Sequence, residues 1–309
     1  MKQQDKDYLY HYTTLDAFIN IVKEQEIWAS NIFYMNDTHE FHWAVELAKD
    51  LLKTEMDGKS PANTDTVELM YNELSRMKPG DLTMSVFACS FSEDGDDLNQ
   101  WRAYCPNGGV SIGFPRKDLN DITVTQPGTG FKDPFVECIY DDNEQRRLIR
   151  EEINRAAKTK PGGTIGGKMS DQEKNQWCAE FLKILLANKP IKHPDYTSEK
   201  EWRWMKFAEP GIRKDPEQRT RKDAEIVTDP VGFRSRNSLV IPYWKFKLNP
   251  DPEKNDMKIW KNCRIVVGPN PHKHELKASI EYMLRYYCNE PYFNRPSKVE
   301  LSTKPYRYW

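Results

Sequence analysis

Four short stretches carry side chains able to do acid–base or electrostatic chemistry. Y-L-Y-H-Y-T-T (Tyr8–Thr14) sets His11 between alternating tyrosines, and F-Y-M-N-D-T-H-E-F (Phe33–Phe41) holds Tyr34 beside Asn36, Asp37 and Glu40. S-E-K-E-W-R (Ser198–Arg203) spaces Glu199, Glu201 and Arg203 at every second residue, and F-R-S-R (Phe233–Arg236) supplies Arg234 and Arg236. On a strand, residues of one parity share a face. His11 then shares the face of Leu9 and Thr13, opposite the tyrosines, either as a satisfied core histidine or as the floor of a site. Glu199, Glu201 and Arg203 share a face opposite Trp202 and Trp204. A tryptophan face is usually the buried one, so the bland reading is a solvated edge strand of weak surface pairs. The functional reading is a concave site where two carboxylates meet a cationic or hydroxyl-rich substrate, with Arg203 keeping one of them ionised. Arg234 and Arg236 suit phosphate through paired N–H donors, salt bridges being the alternative. Arg102 in Q-W-R-A-Y suits a phosphate or carboxylate.

The segments around these residues mix strand and helix spacing. Strand parity over Tyr8–Tyr12 gives way to helical spacing from Leu15 to Glu24, with Leu15, Phe18, Ile19 and Val22 on one face. Glu26 to Phe33 is β-prone. Asn36 or Asp37 would cap a long helix reaching about Lys53, followed by a second near Thr66–Met77 that ends at Lys78-Pro79-Gly80. Met84–Phe91 alternates as a strand, L-N-Q-W-R-A-Y reads as a short helix, and V-S-I-G-F and Phe135–Tyr140 as strands. Two charged helices, about Glu144–Lys158 and Asp171–Asn188, look like an insertion at about 141–192. Ser198–Lys206, Leu239–Leu248 and Arg264–Val267 read as strands, and Glu275–Tyr287 as the last long helix. There is no regular β-α-β alternation, so the pattern predicts an α+β fold with a mixed, mostly antiparallel sheet, flanking helices and a helical insertion. No repeat or long linker divides residues 1–309, which argues for a single domain.

The bulk numbers set limits on partners. With 309 residues, 38% hydrophobic, 30% charged and nine tryptophans, the chain has the make-up of a soluble globular protein. A formal net charge of −1 gives no global electrostatic case for nucleic acid or a membrane surface. No apolar run has the length of a membrane span and M-K-Q-Q-D-K-D lacks a signal-peptide core, so a cytoplasmic location and no membrane partner are expected. The six cysteines form no C-x-x-C pair and read as reduced, mostly buried thiols. His272 and His274 lie between prolines and a helix, and no metal site is expected. Gly162 and Gly167-Lys168 fall one residue short of a phosphate-binding loop, with Met169 where its Ser or Thr must be. Arg203, not the lysine of metal nucleases, stands two residues after Glu201, and a guanidinium cannot relay a proton.

Taken in order, L-Y-H-Y-T-T-L-D-A-F, F-Y-M-N-D-T-H-E-F, C-S-F-S-E-D through W-R-A-Y to G-V-S-I-G-F, E-K-E-W-R, F-R with V-I-P-Y, and I-V-V-G-P-N resemble the bacterial family known as domain of unknown function 2971. The block H-Y-T-x-L-x-x-F-I-x-I-V-K-x-x-E-I-W-A-S is also similar, more distantly, to the start of ADP-ribosyltransferase-like folds, with Glu26 where those carry a glycine. That second resemblance implies an ADP-ribosyltransferase-like sheet and NAD as substrate, with no metal. It implies a ribose-holding His11 flanked by Tyr12 and Thr13, Tyr34 stacking on nicotinamide, and Glu201 or Glu199 as the catalytic carboxylate. Arg203 and Arg234 would complete the binding set. The activity implied is cleavage of the nicotinamide–ribose bond through an oxocarbenium-like state, by transfer to a protein or nucleic-acid acceptor or by hydrolysis, in a toxin or anti-phage role. A non-catalytic nucleotide- or ligand-sensing module is the alternative.

Overall fold

Thr14 ends the first strand by capping the first helix. β1 (Tyr8–Thr14) runs into α1 (Leu15–Glu24), where the Thr14 side chain accepts from the Ala17 N–H and Phe18, Ile21 and Val22 form the buried stripe. Gln25 takes a left-handed φ of 56° and returns its N–H to Ile21, which stops the helix and launches β2 (Glu26–Asn31). The Asn31 side chain then caps a 3-10 turn over Ile32–Tyr34. The computed structural model describes residues 7–35, 38–57, 64–76, 85–125, 135–158, 170, 173–174, 177–178, 181, 190–208, 231–236, 238–249, 258–287 and 298–305.

The remaining elements are α2 (Thr38–Asp57), α3 (Thr64–Arg76), β3 (Ser85–Ser92), α4 (Leu98–Tyr104), β4 (Gly109–Pro115), α5 (Arg116–Thr125), β5 (Phe135–Glu137) and α6 (Asp142–Lys158). A 3-10 segment Pro194–Glu199 precedes β6 (Glu201–Ala208), and β7 (Val231–Arg236), β8 (Leu239–Lys247), α7 (Lys258–Asn262), β9 (Arg264–Val267), α8 (Lys273–Tyr287) and β10 (Lys298–Leu301) follow. The strands form one open sheet in the order β10-β9-β4-β1-β3-β2-β8-β7, with β6 on β3 and β5 on β6. Every pairing is antiparallel except β10 with β9. The fold is therefore α+β with an open, mostly antiparallel sheet.

Two cores hold it. Leu9, Phe18, Ile27, Phe91, Phe114, Trp204, Phe246, Trp260 and Ile265 pack between the sheet and α1, α7 and α8. A separate helical core joins Leu51, Leu52 and Met70 of α2 and α3 to Ile149 and Ile153 of α6, with Trp177, Cys178 and Phe181. The predicted insertion thus packs with the two early helices instead of standing alone. The Gly-rich loop at 159–169, the Lys78-Pro79-Gly80 turn, the Asn36 and Asp37 cap and most of the helix expected at 171–188 lie outside the described residues.

Two expectations about strands are corrected. The E-K-E-W-R strand begins at Glu201, because Lys200 adopts φ 45° and Glu199 closes the 3-10 segment before it. Nor is it a solvated edge: β3 pairs along one side and β5 along the other, and both Glu201 and Arg203 are buried. Arg234 and Arg236 lie within β7, a strand directly ahead of β8, and Ser238 makes the left-handed turn between the two.

Candidate functional site

The sheet splits at β3. Along one edge, β3 pairs with β6 from Ser85 to Ser92. Its other edge is shared, with β2 taking Phe87 and Ala88 and β1 taking Ser92. Between them, at residues 89–91, β1 and β2 part. The backbone acceptor exposed there is met by a side chain: His11 Nδ1 lies 3.0 Å from the Ser90 carbonyl. A carbonyl can only accept, so Nδ1 carries the proton and Nε2 of the neutral ring is an acceptor. Burial pulls the His11 pKa down, the Ser90 bond works against this, and the Arg234 charge adds to it.

A cleft of about 700 Å³ opens at this split. Parity alone would separate its residues. Tyr10 pairs with Ser92 and Ser92 with Glu201, so Tyr10, Tyr12, Ser90, Ser92, Glu201 and Arg203 share one face of the sheet. His11 belongs to the opposite face, with its ring 5.6 Å from that of Phe91. Because no strand fills the gap, both faces open into one cavity, which His11, Thr13, Tyr34, Glu199, Glu201, Arg203 and Arg234 all line.

The polar floor is an ion network. Arg203 donates from Nε to Glu201 Oε1 (2.7 Å) and from Nη2 to Oε2 (3.0 Å). Lys192 Nζ donates to Glu201 Oε2 at 2.6 Å and also to Glu199. The Glu201 side chain is 5% exposed and that of Glu199 16%, so Glu199 lies nearer the opening. Burial drives the Glu201 pKa upward, but the charges of Arg203 and Lys192 more than offset it and hold the carboxyl below its usual range. Two anions and two cations balance, which is what permits such charges to be buried together. Nearby, Cys89 stays a thiol, because burial raises its pKa and Glu201 raises it further.

Lys192 is held from the helical core. The Gln145 side chain of α6, fully buried, donates to the carbonyls of Ile139 and Lys192, both at 2.7 Å, and accepts from Trp43 Nε1 at 3.1 Å. Glu201 is fixed along its backbone by the Tyr140 hydroxyl and by the Cys138 N–H.

The stretch that carries Lys192, Glu199, Glu201, Arg203 and Gln145 is also the stretch recognised by comparison. Residues 100–204 match DUF2971, a family described as a protein of unknown function. The DUF2971 match covers about a third of the chain and contains the whole ion network. His11, Tyr34 and Arg234 lie outside it. No curated protein and no solved structure matches the chain.

The other predicted residues divide by what they touch. Tyr34, 40% exposed on the 3-10 turn after β2, offers its ring to the cleft. Arg234 Nη2 donates to Ser30 at 2.7 Å. Tyr12 is different: its ring packs on Trp101 (centroids 4.7 Å apart), and its hydroxyl donates to the Asp94 carbonyl and accepts from the Asp97 N–H. It pins the loop before α4, and its one proton is already given to Asp94. Thr13 is buried, and its carbonyl takes the Cys105 thiol. Sequence reasoning passed over Lys192, Gln145 and Trp28. Only Trp28 left a trace, through its shared parity with Glu26 and Ser30. Among the described residues no group of three His, Cys, Asp or Glu could hold a metal, and no helix is long and apolar enough to cross a membrane.

Proposed function

We propose that the cleft binds NAD and that the chain is an ADP-ribosyltransferase-like enzyme, cleaving the nicotinamide–ribose bond and passing ADP-ribose to a macromolecular acceptor or to water. The observation that carries this reading is the convergence of His11, Tyr34, Glu199 and Glu201 on one cavity at the split of the sheet. Cleavage develops positive charge on the ribose, and an ionised carboxylate beside it stabilises that charge. Glu201 is kept ionised, and its three donors leave one acceptor site on Oε1, enough to take a ribose hydroxyl. Glu199 supplies a second carboxylate nearer the mouth. His11 Nε2 would accept from the other ribose hydroxyl, Tyr34 would stack on nicotinamide, and Arg234 would meet the diphosphate.

Nicotinamide release from NAD, measured with cell extract as a source of acceptor, tests this. Turnover that Glu201→Gln or Glu199→Gln abolishes, with NAD still bound, supports the assignment. No release under any acceptor condition sinks it. A second reading, a ligand sensor in a toxin or defence setting that binds without turnover, draws on the pairing of Glu201 with two cations, which lowers its pull on a developing positive charge. Binding of NAD unaccompanied by release would favour that one.

A further inference from the structure

The lobe of the cleft farthest along β2 from Tyr34 holds a second ring platform. Trp28 lines the cleft and lies on the same sheet face as Glu201, since Ser30 pairs with Ala88. One face of its indole is stacked on Tyr243, with centroids 4.2 Å apart and an interplanar angle of 16°. Tyr243 in turn lies flat over Gly232, where an added Cβ would come within 2.3 Å of the ring. Trp28 Nε1 donates to Glu26 Oε1 at 3.0 Å, which fixes the rotation of the indole. Such a ring, backed on one side and pinned at its edge, leaves its other face for a planar group from the cleft. Its order is not needed for core packing, because the apolar core of β2 is made by Ile27 and Ala29 of the other parity.

The polar surroundings say what kind of ring. Glu26 is buried and ionised: burial pushes its pKa up, and hydrogen bonds from Lys247, Trp28 and Lys245 more than reverse this. Trp28 and Lys245 occupy Oε1, whereas Lys247 alone reaches Oε2, so Oε2 retains an acceptor site. We infer that Trp28 and Glu26 form a subsite for a purine bearing an exocyclic amine, the base stacked on Trp28 and its amine donating to Glu26. Arg234, bonded to Ser30 two residues along β2 from Trp28, lines the same cleft close enough to His11 for its charge to act on the ring, and would meet phosphate there. On the reading proposed above, on which the choice of adenine rests, this is where the adenosine end of the dinucleotide sits. The two ring platforms are then Tyr34 for one end and Trp28 for the other.

Calorimetric titration of the full chain with AMP, ADP-ribose and nicotinamide mononucleotide tests the subsite. A stacked base contributes enough that its loss weakens binding by about tenfold or more. Trp28→Ala is expected to weaken AMP and ADP-ribose by that factor and to leave nicotinamide mononucleotide unchanged, while Trp28→Phe, which keeps a ring, restores most of the affinity. Equal binding of AMP by wild type and Trp28→Ala, with both folded by circular dichroism, overturns the inference. So does an equal loss for nicotinamide mononucleotide. The two readings fail separately: AMP binding that depends on Trp28 without nicotinamide release upholds the subsite alone. Nicotinamide release whose KM for NAD ignores Trp28 overturns the subsite and leaves the enzyme reading standing.

Discussion

His11 and Ser90 meet where the sheet opens, the imidazole Nδ1–H donating to a carbonyl that no neighbouring strand reaches. The same ring therefore closes a gap in the backbone ladder, and a satisfied core histidine thus also lines the cleft.

Removing that bond strands a buried carbonyl. His11→Ala is expected to cost about 1–3 kcal/mol in urea unfolding, and His11→Asn, whose amide can still donate, less. The pH dependence has a definite sign. The folded pKa lies below the usual 6.5, so the unfolded chain binds the proton first and stability falls as pH drops below 6.5 toward the folded value. The wild-type advantage over His11→Asn should be largest at neutral pH and shrink near pH 5.

Glu201 shifts stability with the same sign at lower pH, although here it is the charged form that is buried. Its folded pKa is depressed, so its contribution is full above the usual 4.5 and is lost as pH falls through the folded value. Glu201→Gln leaves Arg203 and Lys192 buried without their shared anion and is expected to cost about 3–5 kcal/mol. Lys192→Met leaves Glu201 still held by Arg203 and should cost less. A double-mutant cycle read by denaturant melts gives the coupling between them.

Gln145→Leu removes three hydrogen bonds at once, those to the Ile139 and Lys192 carbonyls and that from the Trp43 indole N–H, which is left unsatisfied. At about 1–3 kcal/mol for each unsatisfied group, the loss should exceed that of a surface substitution several-fold. Because it frees Lys192, nicotinamide release should fall while AMP binding at Trp28 is kept.

Tyr34→Ala offers the contrast. The residue is 40% exposed and belongs to none of the buried clusters, so unfolding should shift by no more than about 0.5 kcal/mol. Binding of nicotinamide mononucleotide should nonetheless weaken, as measured by calorimetry.

Gly232→Ala probes the ring platform from behind. A methyl there collides with Tyr243 and pushes it toward Trp28, at a cost of about 1–3 kcal/mol for overpacking. AMP affinity should drop although no residue touching the cleft has changed.

Much of the architecture was legible in local patterns. The strand–helix–strand opening, the L-N-Q-W-R-A-Y helix and the Arg264–Val267 strand follow from parity, capping and 3.6-residue spacing. The E-K-E-W-R strand misled because parity reports burial only when one face is wet. Trp204 is buried in the core, while Glu201 and Arg203 on the other face are covered by their own ion pairs. Parity also set His11 and Glu201 on opposite faces, and only the parting of β1 from β2, a tertiary feature, brings them to one cavity. Lys192 gave no signal, as a lysine between Pro190 and Pro194 looks like surface until its partners are known.

The split has a mechanical consequence. Strands β4, β9 and β10 hang on β1 as one leaf, and β8 and β7 hang on β2 as another, both attached to the β3–β6 spine at different heights. Across the opening the leaves are tied by the shared core and by α1, which packs on both β1 and β2. A ligand lodged between them would act as a keystone, bridging a joint where the backbone ladder itself is interrupted.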